Sequence, residues 1–320
     1  MSDNQQQKED KTTFLHAFKQ QIMKAWQPVP TLNSTIIVFA ILSTIFLVFG
    51  IVLVVFTNKI IDYKVRYDTK CSTINYPKPD TVFNPAICTA TFTVTEDMEA
   101  PVFVYYELTN FYQNHRRYVK SKSVVQLQGD SVSYSDVSNC EPIIYYSDLR
   151  KYRFVDKSLK DGDYAWPCGL IAASLFNDTY ALYDPNGNKV DISSNNIAWP
   201  SDKSTKYKNR DMSIQWTSVE DERFMVWMRT AALPDFRKLW GRIDQKVTAG
   251  VYTIQIQNNY PVDSFDGTKS FVLSTANAFG GRNSFLGISY LVMGIICFII
   301  LMVFVFKKFR QNKPKQEKEK

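Results

Sequence analysis

Two runs of apolar residues, one near each end of the chain, limit its architecture more than any other feature. Ile36–Phe56 (IIVFAILSTIFLVFGIVLVVF) is 21 residues long and uncharged, with Ser43 and Thr44 as its only polar side chains. Phe285–Phe306 (FLGISYLVMGIICFIILMVFVF) is a second uncharged run, of 22 residues. At a rise of ~1.5 Å per residue, ~20 apolar residues cross a hydrocarbon core ~30 Å thick. A buried helix of a soluble protein rarely needs so long a run without charge. The expected fold is therefore a membrane protein with two transmembrane helices, over residues 34–56 and 285–306. The first run does not read as a cleavable signal peptide, because it starts far into the chain and no small-residue cleavage site follows it.

Charge decides which way the spans face. Lys307, Lys308, Arg310, Lys313 and Lys315 crowd the far end of the second run, while only Lys269 and Arg282 lie on its other side. The positive-inside rule puts that end in the cytosol. With two crossings, both tails (residues 1–33 and 307–320) are expected there, and residues 57–284 form an exoplasmic or lumenal domain. The formal net charge of +7 is concentrated in the C-terminal tail, which carries +5, so the chain lacks a basic stripe for nucleic acid. Such a tail suits anionic membrane lipids.

The cysteines give the same polarity independently. Cys71, Cys88, Cys140 and Cys168 lie between the spans, where disulfides form, and Cys297 lies within the second span. Four cysteines permit three pairings. The sequential one, Cys71 with Cys88 and Cys140 with Cys168, closes the shortest loops and is the expected one. Asn177-Asp178-Thr179 is an N-glycosylation sequon in the same region. Asn33-Ser34-Thr35 also matches but falls at the cytosolic edge of the first span.

Between the spans, strand signals dominate. Thr91–Thr95 and Val251–Gln257 alternate, Val102–Leu108 is rich in β-branched and aromatic residues, and Asp266-Gly267 marks a turn. One stretch, LPDFRKLWGRI, has a helical pattern: Pro234 in the first turn, then Phe236, Leu239, Trp240 and Ile243 at i, i+3, i+4, i+7. The expectation is one mainly antiparallel β domain, sandwich-like, with a few short helices.

Catalytic constellations are poorly supplied. His115 is the one histidine between the spans, no G-x-S-x-G turn accompanies it, and HExxH, P-loop and G-x-G-x-x-G motifs are absent. No enzyme activity, metal or cofactor is expected. Asp202-Lys203-Ser204-Thr205 resembles the phosphorylated DKTGT of P-type ATPases only faintly, lacks its glycine, and reads as a surface loop. His115-Arg116-Arg117 with Lys120 is a basic cluster among aromatics. It reads either as a contact for an acidic partner loop or lipid phosphate, or as a solvated face, or as Arg paired locally with Asp and Glu. In the N-terminal tail, Phe14, Phe18, Ile22 and Trp26 recur every four residues, the spacing of an interfacial amphipathic helix. Gly287 and Gly294 offer another helix a close approach within the second span.

Longer motifs then converge on one family. FKQQIMKAWQP (Phe18–Pro28), YYELTNFYQNHRRYVKS (Tyr105–Ser121), PCGLIA (Pro167–Ala172), LFND (Leu175–Asp178), IAW with Asp202-Lys203, FMVWMRTAALPDFRKLWGRI (Phe224–Ile243), NYPV (Asn259–Val262), FDGTK (Phe265–Lys269) and GGRNSFLGISY (Gly280–Tyr290) occur in this order. The sequence resembles the cell-division-control-protein-50/ligand-effect-modulator family, the β-subunits of type-IV P-type ATPase phospholipid flippases. That resemblance implies a non-catalytic partner that forms a heterodimer with the ATPase. It also implies a need for the subunit in folding, exit from the endoplasmic reticulum and transport, with residence in endoplasmic reticulum, Golgi, endosomal or plasma membrane. Ala173 stands where the family's usual IAN has Asn, and Pro200-Ser201 where Trp-Thr is common. Two other classes remain open on residues alone: an adhesion or receptor-like ectodomain acting without an ATPase, and an ectoenzyme.

Overall fold

The computed structural model describes residues 18–21, 30–69, 71, 87–276 and 280–311. Two helices match the apolar runs and overshoot them: Leu32–Asn58 and Ser284–Gln311, of 27 and 28 residues. At ~1.5 Å per residue each is ~40 Å long, more than the hydrocarbon core requires. Only 11% of each apolar window is buried within the chain, which excludes the core helix of a soluble protein. The two helices pack on each other through glycine. A Cβ on Gly294 would lie 2.9 Å from the Leu47 side chain and 3.0 Å from its backbone nitrogen. A Cβ on Gly287 would lie 2.8 Å from Val54, and one on Gly50 2.8 Å from Leu291. Ser43 Oγ donates to the Gly294 carbonyl at 3.2 Å, using a polar group that hydrocarbon would leave unsatisfied.

Among the described residues between the spans, eight strands form two four-stranded antiparallel sheets. One has the order β1 (Asp62–Arg66), β8 (Lys269–Ser274), β3 (Val102–Leu108), β6 (Phe236–Ile243). The other has the order β2 (Ile87–Val94), β7 (Gly250–Gln257), β4 (Thr179–Tyr183), β5 (Lys189–Val190). Period-two alternation turns Val102, Val104, Tyr106 and Leu108 of β3 inward, and Tyr252, Ile254 and Ile256 of β7 do the same. The inner faces meet ring on ring. Phe271 of β8 lies 5.2 Å from Tyr180 of β4 and 6.0 Å from Phe92 of β2, and Tyr180 lies 4.9 Å from Trp240 of β6. This is a β sandwich whose core is rich in aromatic pairs.

The helix expected over LPDFRKLWGRI is instead β6. The register against β3 jumps from Tyr105↔Leu239 to Val104↔Gly241, so Trp240 is the extra residue of a β-bulge. The bulge breaks the alternation and leaves apolar residues at helix-like spacing. Lys238 also points inward, its ammonium donating to the carbonyls of Val226, Trp227 and Arg229 at the end of the helix Glu222–Met228. Strand pairing with β3 overrides the local pattern.

The connection from β3 to β4 holds short helices around a second buried cluster. Val137, Ile143, Leu149 and Ala165 surround the bonded pair Cys140–Cys168.

Candidate partner-binding surface

The sequence YYELTNFYQNHRRYVKS divides cleanly between core and surface. After β3, Asn110 takes φ 59°, a left-handed conformation that Asn tolerates, and reverses the chain. Its N–H donates to Asp235 Oδ1 at 2.9 Å, and the Phe111 N–H donates to the Pro234 carbonyl at 3.0 Å. Gln113, fully buried, accepts from the Ala231 N–H at 2.8 Å and donates to the Tyr118 hydroxyl at 3.3 Å. Asn114 Nδ2 donates to the Ala232 carbonyl at 2.8 Å. These bonds zip residues 110–114 to the loop 231–235.

What remains outside is the candidate surface. Tyr112 is 58% and Leu233 68% exposed. In the single turn Arg116–Lys120 only Tyr118 faces the core, and His115, Arg116, Arg117 and Lys120 are exposed. Among the described residues neither Arg116 nor Arg117 has an ion-pair partner within the chain, so local pairing with Asp or Glu does not account for the cluster. An aromatic, an aliphatic side chain and several cations on a rigid backbone suit an acidic, partly apolar partner.

The other candidate residues are placed as follows. Phe18 is exposed, in a short helical stretch with Lys19, and Trp26 lies outside the described residues. Gly287 and Gly294 do admit a close helix, and it is the chain's own first span, whose Val54 and Leu47 lie against them. Cys71 is bonded to Cys88 and Cys140 to Cys168, with Cα–Cα distances of 5.5 and 5.7 Å. Each such link contributes on the order of 3 kcal/mol by restricting the unfolded chain. Asn177 is partly exposed, two residues before β4.

The remaining motifs are structural nodes. Asp178, Tyr260 and Lys269 come from LFND, NYPV and FDGTK and meet at one buried site. Asp178 and Lys269 are both fully buried, 2.7 Å apart. Asp178 Oδ1 accepts from the Asn259 and Tyr260 N–H groups, each at 2.6 Å, and Oδ2 accepts from the Tyr67 hydroxyl at 2.6 Å. Lys269 also donates to the Tyr260 carbonyl. Burial, then the Asp178 charge, pushes the Tyr67 phenol well above its ordinary pKa, so it stays a donor. Burial pulls the Lys269 ammonium down and Asp178 opposes that. The pair has no solvent access and suits cohesion rather than catalysis.

A second node joins IAW and Asp202-Lys203 to the helix Glu222–Met228. Asp202 is not on a surface loop as expected; it is buried in the helix Pro200–Thr205 and held by Arg229 at 2.5 Å and Lys206 at 2.8 Å. Glu222 accepts from the N–H groups of Asn196, Ile197 and Ala198 at 2.8–3.0 Å and from Lys203 at 2.6 Å. Burial raises the Glu222 carboxyl, but the Ala198 N–H, Lys203, and the Asn196 and Ile197 N–H groups together outweigh it and hold its pKa below the ordinary 4.5. The folded state therefore binds fewer protons than the unfolded state just below pH 4.5. This stabilisation is complete above the ordinary value and is lost as pH falls through the folded one. Glu222→Gln should lower stability at pH 7 by about 1.5–3 kcal/mol, the range for charged hydrogen bonds. In thermal unfolding of the detergent-solubilised chain, that deficit should shrink towards pH 3.

Sequence reasoning missed both nodes, because Asp178–Lys269 and Asp202–Arg229 are pairs distant in sequence that no local spacing reveals. The order of motifs was the one available signal.

Comparison with known proteins accounts for that order. The profile of the LEM3 (ligand-effect modulator 3) family / CDC50 family matches residues 53–314. "Putative ALA-interacting subunit 2" of Arabidopsis thaliana is 37% identical, over 94% of this chain and 89% of its own length. "Cell cycle control protein 50A" of Bos taurus is also 37% identical, over 92% of this chain and 89% of its own. "Phospholipid-transporting ATPase accessory subunit CDC50" of Chaetomium thermophilum is 30% identical, over 92% and 86%. With the profile covering the end of the first span, the whole β sandwich and the second span, the chain belongs to the LEM3/CDC50 family.

Proposed function

We propose that the chain is the non-catalytic accessory subunit of a type-IV P-type ATPase that moves phospholipid, bound to the catalytic subunit as a heterodimer. The observation that carries this reading is its nearly full-length similarity to a protein named as a phospholipid-transporting ATPase accessory subunit. The chain itself supplies two spans and a sandwich in which the buried charges of Asp178, Lys269, Asp202 and Glu222 are engaged in holding the fold. Its role is to stabilise the ATPase through folding, exit from the endoplasmic reticulum and transport. The sandwich lies on the exoplasmic or lumenal side, supported by the basic residues after the second span and by two disulfides between the spans. Both tails are cytosolic, and Phe18 with Trp26 supplies a contact on that side. Asn177 carries an N-linked glycan. The complex resides in endoplasmic reticulum, Golgi, endosomal or plasma membrane.

Affinity purification of the tagged chain in mild detergent should bring down a P-type ATPase in equal amount. Depleting the chain should trap that ATPase in the endoplasmic reticulum and stop inward movement of labelled phospholipid. An ATPase that reaches its membrane and transports lipid unchanged without this chain would overturn the reading.

A further inference from the structure

The two sheets present unlike outer faces. On the sheet containing β1, β3 and β6 the face is charged: Glu107 accepts from Arg237 at 2.7 Å and pairs with Lys64, and Arg237 bonds Asp62 at 3.0 Å. In the other sheet, the contiguous strands β2, β7 and β4 contain no Asp, Glu, Lys or Arg. Their outward positions are mostly hydroxyl and amide groups with the Tyr183 ring, together with the aliphatic side chains of Ile87, Val251 and Ala181. Thr179 Oγ1 donates to Gln257 at 2.7 Å, and the Tyr183 hydroxyl donates to Gln255 at 3.3 Å, drawing its ring from β4 across to β7.

Among the described residues β2 is an edge strand, and its register against β7 runs unbroken from Ile87 to Val94. It has no lysine, proline or bulge, the usual protections of an open edge. A neutral face beside such an edge needs a cover. The alternation of β4 points to one. Tyr180 and Leu182 of β4 are buried and Thr179 is exposed; Asn177, two residues before the strand, is partly exposed in step with Thr179 and Tyr183, although its Oδ1 is buried. Asn259 Nδ2, at the end of β7, donates to the Asn177 carbonyl at 3.0 Å and fixes that position.

We propose that the N-linked glycan at Asn177 lies along this face, over β4 and β7 towards β2, instead of extending into solvent. The inference rests on the glycosylation reading above. Sugars are neutral, bond to hydroxyls and amides, and lay their C–H faces on aromatic rings; Thr253, Gln255, Gln257 and Tyr183 offer those groups. β2 lies two strand spacings, about 10 Å, from β4.

The test uses the full-length chain from glycosylating cells, in detergent. Mass spectrometry of the Asn177 glycopeptide reports occupancy. The rate at which an amidase removes the glycan from folded protein then reports docking. Tyr183→Ala and, separately, Thr253→Asp should speed removal about five-fold, about 1 kcal/mol at 1.4 kcal/mol per tenfold. Trimming the wild-type glycan to its first sugar should speed hydrogen exchange in β2 and β7, a measurement that needs no variant. Equal removal rates with unchanged exchange, at an occupied Asn177, would overturn the docking alone. An unoccupied Asn177 would overturn the docking and the glycosylation reading together.

Discussion

Asp178→Ala should be among the most damaging substitutions in this protein, lowering stability by about 3–5 kcal/mol, the cost of breaking a buried ion pair by removing one partner. Against a total of roughly 5–15 kcal/mol for a folded domain, such a loss is a large fraction of the stability and at the low end of that range brings the domain to its unfolding midpoint. The expectation follows from what the carboxylate holds. It takes four donors: two backbone N–H groups, the Tyr67 hydroxyl and Lys269. Without it the Lys269 ammonium, itself fully buried, keeps only the Tyr260 carbonyl among its bonds. Lys269→Met should cost less, because three donors still stabilise the carboxylate. The double variant Asp178→Asn/Lys269→Met should cost less than the sum of its parts, since neither leaves a lone charge behind. The sequon survives every change at position 178 except proline, so the whole series keeps the Asn177 acceptor sequence. Thermal unfolding of the solubilised chain and the yield of monodisperse protein measure the effect. Strict additivity would show that the two groups act separately.

Residues that depend on local spacing were readable, and residues that depend on distant pairing were not. The spans stood out because hydrocarbon demands long uncharged runs, although both helices extend into the flanking polar residues, to Asn58 and Gln311. β3 could be read because its sequence fits a pleated, half-buried surface, and the structure places it at Val102–Leu108. β6 could not, because the bulge at Trp240 and the inward Lys238 imitate a helical period. PCGLIA shows the same limit at a single residue. Gly169 has φ 97°, and a Cβ there would lie 2.2 Å from the Ser121 carbonyl oxygen, so the motif needs glycine because another motif passes over it. Ser121 ends the YYELTNFYQNHRRYVKS stretch, and its Oγ accepts from the Leu170 N–H at 2.8 Å. The sequence displays both motifs and conceals that they touch. For the candidate surface, the composition of His115-Arg116-Arg117 was evident, whereas whether the chain neutralises those cations depends on its three-dimensional path.

That path sets up the last expectation: Arg116→Glu/Arg117→Glu should leave the fold intact and weaken capture of the ATPase. Both side chains are exposed, and among the described residues neither has an ion-pair partner in the chain, so reversal removes no internal bond. Surface changes of this kind alter stability by no more than about 0.5 kcal/mol. At an interface the same reversal sets like charges against an acidic loop, which costs several kcal/mol when the charges are desolvated and less at a rim. A ten- to hundred-fold loss of affinity, about 1.4–2.8 kcal/mol, is expected. Phospholipid transport should fall in proportion to the ATPase retained. Arg116→Lys/Arg117→Lys should give an intermediate result, since lysine keeps the charge but loses the planar fork that grips a carboxylate. Raising salt should weaken the wild-type complex more than the reversed one. Tyr112→Ala with Leu233→Ala, which removes apolar surface without charge, separates hydrophobic anchoring from electrostatic attraction. If the doubly reversed chain co-purified with the ATPase at the wild-type level and salt dependence, the basic cluster would be a solvated face, and the contact would have to lie elsewhere on the sandwich or along the spans.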